Sequence, residues 1–255
     1  MTITNSTPET WKDLQNEVAE ILKQCGFSVE IEKRIQTARG EVEIDVYAEE
    51  QVKGRKYSII CECKHWKSAI PQNVVHAFRT VVGDIGANIG YIISLNGFQI
   101  GSFKTSEFTN IELKNWLQFQ ESFFESWYEE YFSPELAKRT DPILSYSEPF
   151  VAKWYHDMSD EDQLAYNELK NKYDMFGWIV MGFTPYARTF NKSIPSLPLT
   201  KEIPTSKEVS DRIPNEILTA STFKEFMKLV IEFGDKATNE FRALRDKYKT
   251  DKSDA

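Results

Sequence analysis

Apolar residues recur every three or four positions near the start of the chain: Trp11, Leu14, Val18, Ile21, Leu22 and Cys25. That spacing predicts a helix with one buried face, stopped by Gly26. Ser6-Thr7-Pro8-Glu9 reads as its start, with a hydroxyl cap, a proline in the first turn and a glutamate three residues after Ser6. On a helical wheel Glu17 falls at the border of the apolar stripe. The period then drops to two. Ser28 to Ile35 sets Val29 and Ile31 against Glu30 and Glu32, and Glu41 to Tyr47 sets Val42, Ile44 and Val46 against Glu41, Glu43 and Asp45. Tyr57 to Lys64 is a third strand. With Lys53-Gly54 at the tip of the intervening hairpin, Asp45 stands opposite Glu62, and opposed Cβ atoms in such a pair lie about 5 Å apart.

Pro71 opens a second helix whose buried stripe is Val74, Val75, Phe78, Val81 and Val82. Gln72, His76 and Arg79 line its other face. Gly90 to Ser94 is a short apolar strand, suited to burial on both faces, and Ile111 to Leu113 a final edge strand. From Asn115 the character changes. Trp116, Phe119, Phe123, Phe124, Trp127, Tyr128, Tyr131 and Phe132 form an aromatic-rich helical run ending near Pro134. These aromatics fit a core or an interface better than a base-stacking platform. A helix is expected over Asp160 to Tyr173, a proline-rich loop over 184–214, and a long amphipathic helix over Ser221 to Lys249. The pattern therefore predicts an α/β domain over 1–113 and a mostly helical accessory or oligomerisation region over 114–255.

Composition narrows the setting. The net charge of −8 argues against nucleic-acid binding by bulk attraction. It is uneven, however: residues 1–110 carry 12 Lys and Arg against 14 Asp and Glu, so most of the acidity belongs to the C-terminal half. No apolar run approaches the ~18 residues that span a bilayer. The first residues show neither a basic nor an apolar leader segment. Three cysteines (Cys25, Cys61, Cys63) cannot all pair, and the two on one strand lack a second pair of metal ligands. A reduced, cytoplasmic protein is the expectation.

A single aspartate on the polar face of a half-buried strand is ordinarily a solvated acid. Glu62 is harder to explain so, because it interrupts Ile59-Ile60-Cys61 and Cys63 in a central strand, where a charge must be paired or metal-bound. Lys64, on the same face of that strand, is either its ion-pair partner or a group that converges with it on a phosphate. Two carboxylates and an ammonium on adjacent strands are the parts of a metal-dependent phosphodiesterase. His65 is read as a polar residue at the strand end, and His76 as a surface histidine.

Glu43-Ile44-Asp45-Val46 followed by Cys61-Glu62-Cys63-Lys64-His65-Trp66 resembles the catalytic core of the PD-(D/E)XK nuclease superfamily, and within it the Mrr-like restriction endonuclease domain. Ala87 to Phe98 is similar to that branch's last core strand and the loop after it, so the resemblance covers roughly residues 8–113. It implies a restriction-endonuclease-like three-layer core with a central mixed sheet. It further implies that Asp45, Glu62 and the Cys63 carbonyl hold Mg²⁺, with Mn²⁺ able to substitute, and that Lys64 handles the attacking water and the phosphate. Glu17 and Gln72 match the family's helical acid and the polar residue of the following helix more loosely. Branch members often carry glycines before the aspartate, whereas this chain has Arg39-Gly40-Glu41-Val42-Glu43, a departure that bears on loop geometry and substrate preference. The implied function is a DNA endonuclease of restriction or phage defence. The alternatives are a repair or junction-resolving nuclease and a non-catalytic partner-binding module. A homodimer or larger symmetric oligomer joined through residues after 110 is expected, since one site cuts one strand and the aromatic run, with the stripe of the last helix, offers more apolar surface than a small domain easily buries.

Overall fold

The computed structural model describes residues 1–147, 151, 153–190, 193–203 and 206–248. Contacts divide the chain into two units, one of Thr2 and Thr4–Tyr131, the other of Met1, Ile3 and the residues from Phe132 onward.

In the first unit, Thr10 and Asp13 form a reciprocal capping box, so helix α1 spans Trp11–Gln24. This start lies beyond the Ser6-to-Glu9 motif, because the Thr10 pair satisfies the first free amides and the earlier hydroxyls do not compete. Trp11, at the exposed first position, leaves the predicted stripe, whereas Leu14, Val18, Ile21 and Leu22 are fully buried. Strands β1 (Ser28–Thr37), β2 (Gly40–Val52) and β3 (Arg55–Lys64) follow, then helix α2 (Gln72–Ile85), β4 (Ile89–Ser94), α3 (Ile100–Ser106), β5 (Ile111–Asn115) and α4 (Trp116–Trp127).

The five strands lie in sequence order, antiparallel from β1 to β3 and parallel from β3 to β5. The hairpin turns at Lys53-Gly54, both at positive φ, and pairs Val52 with Arg55 and Val46 with Cys61 as the alternation predicts. Helices cover both faces. Val75, Phe78 and Val82 of α2 pack on Ile44, Tyr47, Ile60 and Ile92, while Phe119 and Phe123 of α4 hold the Tyr91 ring at 5.9 and 5.6 Å on the other side. Each such side chain taken out of water contributes about 1.5–3 kcal/mol. The result is a mixed sheet between two helical layers, the restriction-endonuclease-like α/β core, followed by a helical region.

Two departures from simple alternation occur at one level of the sheet. Ile44 and Tyr47, which strict alternation would place on opposite faces, share the α2 cluster, and Ile31 is exposed rather than inward. Between Ile31–Val46 and Lys33–Ile44 the β1–β2 pairing skips one step, where Glu32 takes a φ of 53°. The residue opposite that irregularity is Asp45.

In the second unit, α5 (Ser133–Ser147), α6 (Asp160–Met181) and α10 (Phe223–Asp246) pack on one another, with short helices α7 (Pro185–Phe190), α8 (Lys207–Arg212) and α9 (Asn215–Thr219) between the last two. Helix α6 runs a further two turns past Tyr173, because Phe176 and Val180 continue the buried stripe. The proline-rich stretch is partly helical. Tyr146 stacks on Phe241 at 4.6 Å, and Phe176 meets Phe233 at 4.9 Å edge-on. Lys249, the expected end of the last helix, lies outside the described residues. No helix among the described residues is long and apolar enough to cross a membrane.

Candidate active site

Strands β2 and β3 are hydrogen-bonded as far as Val46–Cys61 and part beyond it. At the gap the Cys63 amide donates to Asp45 Oδ2 at 2.7 Å, so a side chain takes over where the backbone ladder stops. That bond brings the Asp45 carboxylate beside Glu62. Lys64 Nζ donates to Glu62 Oε1 on the same face of β3, and both side chains are mostly buried. Asp45, Glu62, Cys63 and Lys64 thus meet at the carboxyl end of β3.

Burial first, and the Glu62 charge second, raise the Asp45 carboxyl above its ordinary range, while the Cys63 amide and Lys64 pull it back. A buried carboxyl that resists ionisation, with a second acid acting on it, forms a donor set that a cation would relieve. All-oxygen donors suit a hard divalent ion, and an ion that retains several waters asks the protein for few of them. Among the described residues no group of three or more His, Cys, Asp or Glu side chains could hold a metal; the oxygen donors that the strand end offers are those of Asp45, Glu62 and the Cys63 carbonyl. The thiols offer no competing soft site: all three cysteines are free and buried, and burial pushes every one of them up, Cys25 to about 11.

Two further predicted residues sit on the flanking helices. Glu17 is half-buried on α1. Gln72 is the first residue of α2, with Pro71 at the cap, and its side-chain amide lies over Gly101 of α3. His65 Nε2 faces the Pro8 carbonyl at 3.2 Å, which ties the strand end to the segment before α1. One residue escaped the sequence reading. Gln15 is almost fully buried on the face of α1 that holds Leu14 and Val18, and its Nε2 has no hydrogen-bond partner among the described residues. The available signal was its place within the apolar stripe, where a polar side chain needs a reason.

Residues 8–123 match the restriction endonuclease family model of the Mrr catalytic type. This stretch is similar to a restriction endonuclease domain, consistent with a nuclease of the Mrr type. The matched stretch includes every residue of the site and extends through Phe123 of α4, the helix that closes the second face of the sheet. No curated protein matches the chain. A solved structure described as a protein of unknown function, AF1548, is 17% identical over 70% of this chain and 97% of its own, with a TM-score of 0.36.

Proposed function

We propose that this restriction endonuclease-like domain is an active, Mg²⁺-dependent DNA endonuclease, and that its setting is restriction or phage defence. The observation that carries the reading is the Asp45–Glu62 pair, drawn together by the Cys63 amide with Lys64 against it. An apolar strand end does not gather two acids and a lysine for stability, since replacing a partly buried charge cluster by apolar groups is often neutral or better.

Asp45, Glu62 and the Cys63 carbonyl would hold the cation, which supplies charge to the phosphoryl oxygens and a more acidic bound water. Lys64 has a separate task. With no substrate its ammonium neutralises Glu62. When a phosphodiester enters, the same ammonium can turn to a non-bridging oxygen or to the attacking water, and its donors then stabilise charge that grows in the transition state. Glu17 and Gln72 belong to the proposal as outer members that orient water or phosphate, so Glu17→Gln should slow cleavage with little change in melting temperature. A homodimer or larger symmetric assembly completes the reading, because cutting both strands takes two such sites.

A plasmid-nicking assay with Mg²⁺ or Mn²⁺ tests the core of it. Relaxed or linear product from the wild type, lost in Asp45→Ala, is the expected result. Full activity in Asp45→Ala would exclude this site, and an inert wild type on DNA with either ion would favour the non-catalytic module.

A further inference from the structure

Trp66 follows the catalytic strand by two residues and leaves 43% of its surface exposed. Lys64 Nζ lies over its ring, 5.6 Å from the centroid, within the range of a cation–π contact. Its main chain is held fast, for Asn96 Nδ2 donates to the Trp66 carbonyl. The loop it starts is pinned to the loop after β4, where Ile70 bridges to Phe98, the Ile70 amide donates to the Gly97 carbonyl, and the Gln99 amide donates to the Ile70 carbonyl. Ser102 Oγ adds a bond to the same carbonyl. Other aromatics are more exposed, but among the described residues this ring alone combines a fixed backbone with a place beside the phosphate-handling ammonium, where a flat ligand held by its phosphate would meet it. Lys67 follows it, exposed, and supplies a second positive charge.

We infer that Trp66 is a stacking platform for an unpaired nucleobase beside the scissile phosphate, and that the preferred substrate is DNA with single-stranded character at the cut. In an intact duplex both faces of each base are covered by neighbours, so an indole can stack only on a base that is unpaired, frayed or turned out. Acidic or purely phosphate ligands would use Lys64 and Lys67 and have no need of the ring. This inference rests on the nucleic-acid reading of the site and adds the form of DNA that the site takes.

Fluorescence anisotropy with the full-length protein, Ca²⁺ replacing Mg²⁺ to stop cleavage, separates the contributions. Three labelled ligands of one length are compared: a single strand, the matched duplex and a strand of abasic sites that keeps the phosphates. Trp66→Ala should weaken single-strand binding by about tenfold, change duplex and abasic binding by about twofold or less, and be largely rescued by Trp66→Phe. An equal loss on all three ligands, no loss on the single strand, or no binding by the wild type overturns the inference. Cleavage with Mg²⁺ or Mn²⁺ is scored separately. Trp66-dependent binding without cleavage sinks the nuclease reading alone, and cleavage indifferent to Trp66 sinks the stacking platform alone.

Discussion

Asp45 carries a charge that the fold resists, and the sign of that resistance makes it measurable. Its folded pKa is raised, so relative to the unfolded chain it costs nothing below the ordinary aspartate value of about 4 and costs most above its folded value. In EDTA at pH 7, Asp45→Asn should therefore raise the melting temperature, by about 2 °C, and the gain should vanish as the pH falls below about 4. The asparagine oxygen can still accept from the Cys63 amide, so the comparison isolates the charge. Adding Mg²⁺ or Mn²⁺ should stabilise the wild type and leave the variant unmoved. A variant that melts lower than the wild type in EDTA would contradict the electrostatic account. In cleavage assays Asp45→Ala, Glu62→Ala and Lys64→Ala should each lose about 10²-fold or more. Gln15 gives a contrasting case. Replacing its buried amide, whose Nε2 is unpaired among the described residues, in Gln15→Leu removes a desolvation cost and should stabilise the fold by about 1 kcal/mol, read by thermal or urea melting.

At the level of elements, the parts legible in the sequence were those governed by a strict period. The β2–β3 hairpin and its tip followed from alternation around Lys53-Gly54, and the α2 stripe was right at Val75, Phe78 and Val82. What escaped was set by tertiary context. Helix α3 is a short element of about two turns, anchored by Ser102 to Ile70, a bond between residues far apart in sequence. The irregularity at Glu32 and Asp45 breaks the very alternation used to find the strands, and α1 begins at the Thr10 cap rather than at Ser6. The gathering of Asp45 with Glu62 and Lys64 was readable as residue types and spacing, but the Cys63 amide that closes it was not. One glycine ties two elements together. A Cβ at Gly90 of β4 would lie 2.5 Å from Val82 Cγ2 and 2.7 Å from the Phe78 ring. Gly90→Ala should then push α2 off the sheet and cost about 1–3 kcal/mol, seen as a lowered urea midpoint.

Across the whole chain, the aromatic run after Asn115 changes the argument for assembly. Trp116, Phe119, Phe123, Phe124 and Trp127 are buried within the first unit, where Trp127 Nε1 donates to Gln24 Oε1 and the Cys25 thiol reaches the Phe123 carbonyl. These rings complete the sheet's second face and leave little for a partner. The long helix α10 likewise spends Phe226, Val230 and Phe241 inside the second unit. The case for two copies rests on the chemistry of cutting two strands. Light scattering at micromolar concentration should give at least twice the 29.6 kDa chain mass. A strict monomer that makes double-strand breaks with first-order dependence on enzyme would overturn it.

The lacing of the loop after β3 to the loop after β4 has a consequence for how such a chain can diversify. Because Ile70, Gly97, Gln99 and Ser102 share one small set of bonds, and Asn96 holds the Trp66 carbonyl, neither loop can change length or path alone. A single insertion in either would be felt at Lys64, two residues from the laced segment, before any new contact could be gained. Variation in preference therefore has to arrive as paired changes in both loops. A directed-evolution library for altered specificity should randomise residues 65–70 and 95–99 together, and libraries confined to either loop should return mostly inactive clones.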